Sequence, residues 1–334
     1  MRLSIWSRAL LAALLLALPG APTRVRAQTP GHILGPVSPE NASLYLAPLA
    51  RALAHASAGG VLPGFQAQPL FGMRLGVTVV GAVVPEGSRR FQPHRPASVA
   101  FAGSTHAEPF EAAREPTPAA SGQGPGVRLR PSGSFESAIL SAGGTPETFA
   151  LQLPRGLDLA APWTPHLEAT LGLGLGTDLV ARFSPTVAWT AALGDVSSFG
   201  VTLLHGLGRH LGLTGSRWDA RLTAGLHRTR AGGYLATHAS TLGLAAGGRV
   251  GSWEVYAHGR LEKTRGVVTY EAWNPAANPA LPPHGAPVRA DVPSHTAARL
   301  GLGAQVHLPR LLIAVEVSPG ELRTMSARVA LAGP

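Results

Sequence analysis

The sequence predicts an all-β protein, an antiparallel transmembrane β-barrel of about 10–14 strands with a short N-terminal helix. Period-two alternation of apolar and polar residues recurs in runs long enough for a barrel wall, with turn residues between them. Composition agrees: 41 Gly, 30 Pro, 45% hydrophobic and 14% charged residues are too apolar for disorder and too broken for long helices. Beyond the first residues no stretch of 18 apolar residues occurs, so a closed sheet is the one way for this chain to cross a bilayer with its backbone satisfied.

The N-terminus carries an export pattern. Arg2 and Arg8 flank the apolar run Ala9 to Leu18, and Val25-Arg26-Ala27 offers a small-x-small cleavage site before Gln28, so residues 1–27 read as a secretory signal peptide. Its removal would leave a net charge of +6. Lys263 is the only lysine, and no clustered basic stretch with interleaved aromatics appears, so no nucleic-acid partner is expected. The absence of cysteine removes disulfide scaffolds, zinc fingers and thiol nucleophiles. Residues 28–72 read as a linker and a short helix from Glu40 to His55, with Leu44, Tyr45, Leu49, Ala52 and Leu53 on one stripe and Pro48 limiting its regularity. This segment is a candidate plug for a barrel built from residues 73–334.

The first strand has Met73, Leu75, Val77, Val79 and Val83 on one parity and Arg74, Gly76, Thr78 and Ala82 on the other. Residues 85–165, with twelve prolines, read as a long insertion whose best strand piece is Phe135 to Leu140. Alternation resumes after Pro165 with Leu167 to Leu173 against His166 to Gly174. Gly176-Thr177-Asp178 supplies a turn into Leu179, Ala181 and Phe183. Further strands hold Phe199 to Leu203, Trp218 to Leu226, Leu242 to Ala246 (with a bend or bulge at Gly247-Gly248), and Trp253 to Leu261. A second Pro-rich loop spans residues 273–293, with Val267 to Ala272 an uncertain piece before it. Strands Ala298 to Leu308, Leu311 to Val317 and Arg323 to Ala332 complete the series.

One parity is Leu, Val, Ala and Trp; the other mixes Gly and Thr with charges, among which Arg74, Arg182, Arg221, Glu254, Arg260, Glu262 and Arg299 are the lumen-facing candidates. In a membrane barrel the apolar face meets lipid and these charges line the interior. In a soluble secreted β-sandwich the same apolar face would be a core and the charges would meet water. Export, the Ala/Leu/Val-rich faces and strand length favour the barrel.

The stretches Tyr45-Leu46-Ala47-Pro48-Leu49, Gly72 to Pro85, Leu153-Pro154-Arg155-Gly156-Leu157, Gly176-Thr177-Asp178-Leu179, Arg182-Phe183-Ser184-Pro185 and Gly194-Asp195 through His205 resemble an uncharacterised family of exported bacterial proteins of unknown function. Its members are regarded as outer-membrane β-barrels, distantly akin to long-chain fatty-acid transporter barrels. The resemblance implies an N-terminal segment packed near or in the barrel and a transport-like role, and it supplies no catalytic residues.

Motifs for chemistry are sparse. Gly172-Leu173-Gly174-Leu175-Gly176 lies within alternating strands, whereas a dinucleotide loop opens a helix. No Gly-Lys-Ser/Thr loop or Gly-x-Ser-x-Gly elbow occurs, and His205 and His210 sit five apart without a His-Glu-x-x-His pair. No cofactor or metal is expected. Glu254, His258, Arg260 and Glu262 share one strand face, which fits an Arg/Glu ladder stiffening a barrel or, alternatively, the acid/base set of a barrel-embedded lipid-modifying enzyme. The expectation is a non-enzymatic bacterial outer-membrane barrel for passive transport or binding of small solutes or lipophilic molecules. Its partners would be outer-membrane lipid, the barrel-assembly machinery and an unidentified ligand.

Overall fold

A computed structural model describes residues 31–60, 62, 64, 65, 67–190, 194–208, 210–213 and 217–331; the expected leader and its cleavage site lie outside them. Ten antiparallel strands form the wall: β1 (Met73–Val83), β2 (Trp163–Gly174), β3 (Thr177–Thr190), β4 (Gly194–Gly206), β5 (Trp218–Ala231), β6 (Leu235–Val250), β7 (Trp253–Glu271), β8 (Pro287–Leu308), β9 (Leu311–Ser318) and β10 (Arg323–Leu331). Each pairs with its sequence neighbour, and β1 pairs with β10 from Leu75↔Leu331 to Val83↔Arg323, which closes the barrel. Closure leaves no open edge, so every strand finds a backbone partner on both sides. Among the described residues no helix is long and apolar enough to cross a membrane.

The two ends differ. One carries the tight connections β2–β3, β6–β7 and β8–β9, together with the start of β1 and the end of β10. At the other, residues 84–162 and 272–286 build a cap, where Phe110, Phe135, Ile139 and Leu151 form a core of their own. Asn278 ties the two cap loops by donating to the Phe149 carbonyl at 2.7 Å.

Parity sets the surface. Leu226, Leu300, Leu302 and Met325 point outward and are exposed by more than 60%, whereas Arg221 and Arg328 point inward and are 1% exposed. Among the described residues no second sheet covers the apolar face, so the sandwich alternative fails on topology. A belt of exposed Leu, Val, Ala and Trp running round a closed sheet is a surface for lipid, since water-soluble monomers rarely leave so much contiguous apolar area bare.

Several local expectations are corrected. Phe135 to Leu140 is not strand but the helix Gly133–Ser141, because Phe135 and Ile139 are one turn apart and share a buried face. Val267 to Ala272 is no separate piece, since β7 continues to Glu271. The second loop is shorter than 273–293 because Pro287 to Val292 belong to β8. A register break between Thr264 and Gly266 on β7, opposite Val292 and His295, lets both halves of β8 keep one face inward. Gly247 and Gly248 mark no bulge; the ladder runs on without a register shift to Val250↔Trp253. The β2–β3 turn is at Leu175 and Gly176, both at positive φ, so Asp178 lies in β3 rather than in the turn. Strand β2 begins at Trp163, ahead of Pro165.

The N-terminal helix runs from Pro39 to Ala58, longer than read from sequence and uninterrupted at Pro48. Ser38 caps it, accepting from the Asn41 amide at 3.4 Å, with Pro39 in the first turn. Packing inside the wall holds the helix through the hydrogen bond that Pro48 lacks.

Candidate functional site

The helix Pro39–Ala58 stands inside the barrel. It buries Tyr45, Leu46, Leu49 and Leu53 against Val196, Tyr234, Leu235, Val268, Tyr270 and Val292 of the cap-side wall. Tyr45 donates to the Arg155 carbonyl at 2.8 Å, joining two of the sequence stretches that carried the family resemblance. Tyr270 likewise donates to the Val37 carbonyl at 2.6 Å.

Beyond Ala58 the chain descends through the charged half of the lumen, bonded to the wall at successive levels. Arg260 donates to the Ala58 carbonyl at 3.2 Å, and Arg182 donates to that of Gly59. The Leu62 amide meets the Tyr256 hydroxyl at 3.2 Å, and the Phe65 amide donates to Glu254 at 2.8 Å. Arg221 donates to the Phe65 carbonyl and the Gln68 amide donates to Asp178, each at 2.9 Å. The described residues here lie in neither helix nor strand and cannot satisfy their own amides and carbonyls, so the wall's charges supply the partners that a sheet or water would otherwise provide.

Those charges are also paired with one another. Glu168 accepts from Arg182 at 2.9 Å and meets Arg328 at 2.7 Å. Arg221 bonds Asp178 at 2.9 Å. Glu262 pairs with His55 of the helix and lies 3.5 Å from Arg260 and 3.6 Å from Arg299, which donates to the Leu322 carbonyl at 2.6 Å. Glu316 accepts from Tyr256 at 2.9 Å and lies 3.0 Å from His258. Glu254 also accepts from Gln305 and lies 3.1 Å from His307. Buried charges persist only when matched in this way.

The structure thus places Arg182, Arg221, Glu254, Arg260, Glu262 and Arg299 against the plug segment or its immediate partners. Arg74 lies beside Gly64, on whose Cβ position its guanidinium would close to 3.8 Å. Sequence reading left out Glu168, Asp178, Glu316 and Arg328 as site residues. The parity that singled out Arg182 also set Glu168, Glu316 and Arg328 on the charged face without raising them to candidates, and it applies equally to Asp178, which was read as turn. His55 and Phe65 carry no such signal, because their roles arise only when the N-terminal segment enters the lumen.

Glycines on the inner face make room for rings. A Cβ on Gly303 would come within 2.1 Å of Tyr256, its cross-strand partner, and one on Gly301 within 2.2 Å of His258. Gly303→Val therefore drives Tyr256 away from Glu316 and Leu62. Its expected cost is about 1–3 kcal/mol, read as a lower midpoint of thermal unfolding in detergent. By contrast, the Arg128–Glu147 pair of the cap is 2.6 Å long but about half exposed. Glu147→Gln should change the same midpoint by less than the equivalent of about 1 kcal/mol.

A cavity of about 40 Å³ lies between Gly60, Arg182, Arg260, His258 and Glu316, room for a water or two. On the cap side a groove of about 900 Å³ is lined by Ile33, Pro36, Pro125, Leu153, Pro154 and Leu157 with Gln123, Arg155 and Asp158. Among the described residues no group of three or more potential metal ligands occurs, although folding brings His205 and His210 to 3.3 Å between their Nε2 atoms.

Closed wall, apolar exterior, charged interior and internal segment together define a membrane-type β-barrel with an occupied lumen. The chain belongs to the family of unknown function DUF6588, whose profile matches residues 7–332. Among solved structures, the β domain of the Bordetella autotransporter BrkA is similar at 18% identity, over 51% of this chain and 71% of that one, with a TM-score of 0.27. Ail, the attachment invasion locus protein of Yersinia pestis, solved with the heparin analogue sucrose octasulfate, is 8% identical over 78% and 96%, with a TM-score of 0.22. The Ralstonia pickettii toluene transporter TbuX is 9% identical over 86% and 92%, with a TM-score of 0.22. No curated protein matches the sequence.

Proposed function

We propose that this protein is a bacterial outer-membrane barrel that binds small lipophilic molecules at its cap and passes them inward as a plugged carrier, not as an open pore. The observation that carries this reading is that the helix Pro39–Ala58 and the described residues between Gly59 and Gln68 occupy the lumen from the cap toward the tight-turn end, bonded to the wall at successive levels. The cap groove supports the ligand class: its volume suits a small molecule, and it has mostly apolar walls with a few polar groups. In this reading the buried carboxylates and guanidiniums are scaffold, each already engaged by a neighbour, and no reaction is assigned to them. Export through residues 1–27 and insertion by the barrel-assembly machinery belong to the same proposal.

The test is electrical and optical. Intact protein in planar bilayers should carry no steady current, while vesicles containing it should take up a small lipophilic dye faster than empty vesicles. A steady ohmic current through the unmodified protein would refute the plugged carrier.

A further inference from the structure

The outer wall changes character along one line. On β7 the outward residues Trp253, Val255, Ala257, Gly259 and Leu261 give way to Lys263 and Arg265. The inward ones change from Glu254, Tyr256, His258, Arg260 and Glu262 to Gly266, Val268 and Tyr270. On β5 the outward series Trp218, Ala220, Leu222, Ala224 and Leu226 gives way to Arg228 and Arg230. The register makes these changes coincide, since Leu226 pairs with Ser240 and Ser240 with Lys263. Trp253 to Lys263 covers about 33 Å of strand, or roughly 25 Å along the axis at a tilt of about 40°, the height of a lipid-facing band.

Just above that line the basic groups converge. Arg228 pairs across with His238, and His238 with Arg265, so three strands bring these side chains within about 10 Å. Arg230 and Lys263 flank them, and Arg228, Arg230, Lys263 and Arg265 are all exposed. Among the described residues none of these four forms an ion pair, and the outward positions of β5–β7 between Leu226 and Val267 hold no carboxylate. The nearest outward acids are Asp195 on β4, Asp291 on β8 beside Arg289, and Glu271 at the end of β7.

We propose that Arg228, Arg230, Lys263 and Arg265 form a docking site for the phosphate groups of anionic lipid in the cap-side leaflet. Charge complementarity names the headgroup, and position names its source. The residues sit exposed on the convex outer wall, directly above Leu226, Leu242 and Leu261. A molecule whose acyl chains lie along those leucines presents its phosphates at this level, and long basic side chains reach toward them. The inference rests on the membrane-barrel reading and adds the identity of a lipid partner.

The full chain is reconstituted in phosphatidylcholine vesicles doped with bisphosphorylated lipid A or with its dephosphorylated form, and lipids retained after detergent extraction are counted by native mass spectrometry. The wild type should retain the phosphorylated lipid at least ~10-fold better. Combined Arg228→Gln, Arg230→Gln, Lys263→Gln and Arg265→Gln should abolish that preference, whereas Arg323→Gln, outward on β10, should leave it intact. Equal retention of both lipids, an unchanged combined variant that still migrates as a folded barrel, or displacement of the lipid by millimolar inorganic phosphate overturns the proposal. Failure of the wild-type chain to float with any vesicle would instead sink the membrane reading itself.

Discussion

Replacing Glu168 by alanine destabilises the barrel by about 3–5 kcal/mol, the largest single-residue effect expected in this protein. Glu168 is fully buried and is shared by two guanidiniums, Arg182 at 2.9 Å and Arg328 at 2.7 Å, with the Thr78 hydroxyl donating at 3.3 Å. Removing the carboxylate leaves two cations in a water-poor interior, where each retains its desolvation penalty without the attraction that offset it. The loss reaches the plug as well, because Arg182 is the donor that holds the Gly59 carbonyl. Heat-modifiable migration on gels would report the drop as a lower conversion temperature. A variant in which Arg182 and Arg328 are changed to methionine alongside Glu168→Ala should recover most of the loss, since no uncompensated charge then remains. If the single and combined variants fall equally, the cost lies in packing and the charge argument is wrong.

Deleting residues 39–68 should convert a silent barrel into a conducting one, raising steady current in planar bilayers by roughly tenfold or more as the lumen fills with water. The wall survives this deletion because its strands pair with one another and closure between β1 and β10 does not involve the plug. Water replaces the plug as partner for Asp178, Glu254, Arg182 and Arg221. A milder change separates anchoring from occupancy: Arg182→Ala with Arg260→Ala releases the Gly59 and Ala58 carbonyls while the helix keeps its apolar contacts under the cap. Brief current bursts, rather than a steady level, are expected from it. A deletion variant that folds yet stays silent would mean that the cap, not the plug, closes the channel.

Much of this arrangement was legible in the chain. Alternation at Met73 to Val83, Trp218 to Leu226 and Trp253 to Leu261 assigned the two faces because a strand puts successive side chains on opposite sides whatever surrounds it. The same rule picked out Arg182, Arg221 and Glu262 as interior. It failed beyond Lys263, where the outward face is polar and the inward face apolar. The local pattern there gave only an uncertain strand piece, Val267 to Ala272, although β7 continues unbroken to Glu271 as a wall with the buried helix inside. It failed again at Phe135 to Leu140, where a few residues fit either period and a small core chose the helix.

By itself, then, the sequence determined an alternating, lipid-facing wall and the residue types of its interior, because those depend on strand geometry and on the solvent each face meets. Only the tertiary structure decided that Pro39–Ala58 and the segment after it run through the lumen, that His55 meets Glu262, and that arginines from separate strands gather on one outer patch. Those outcomes join residues up to about two hundred positions apart, as with His55 and Glu262. Closure of the sheet, not any neighbouring residue, brings such groups within bonding distance.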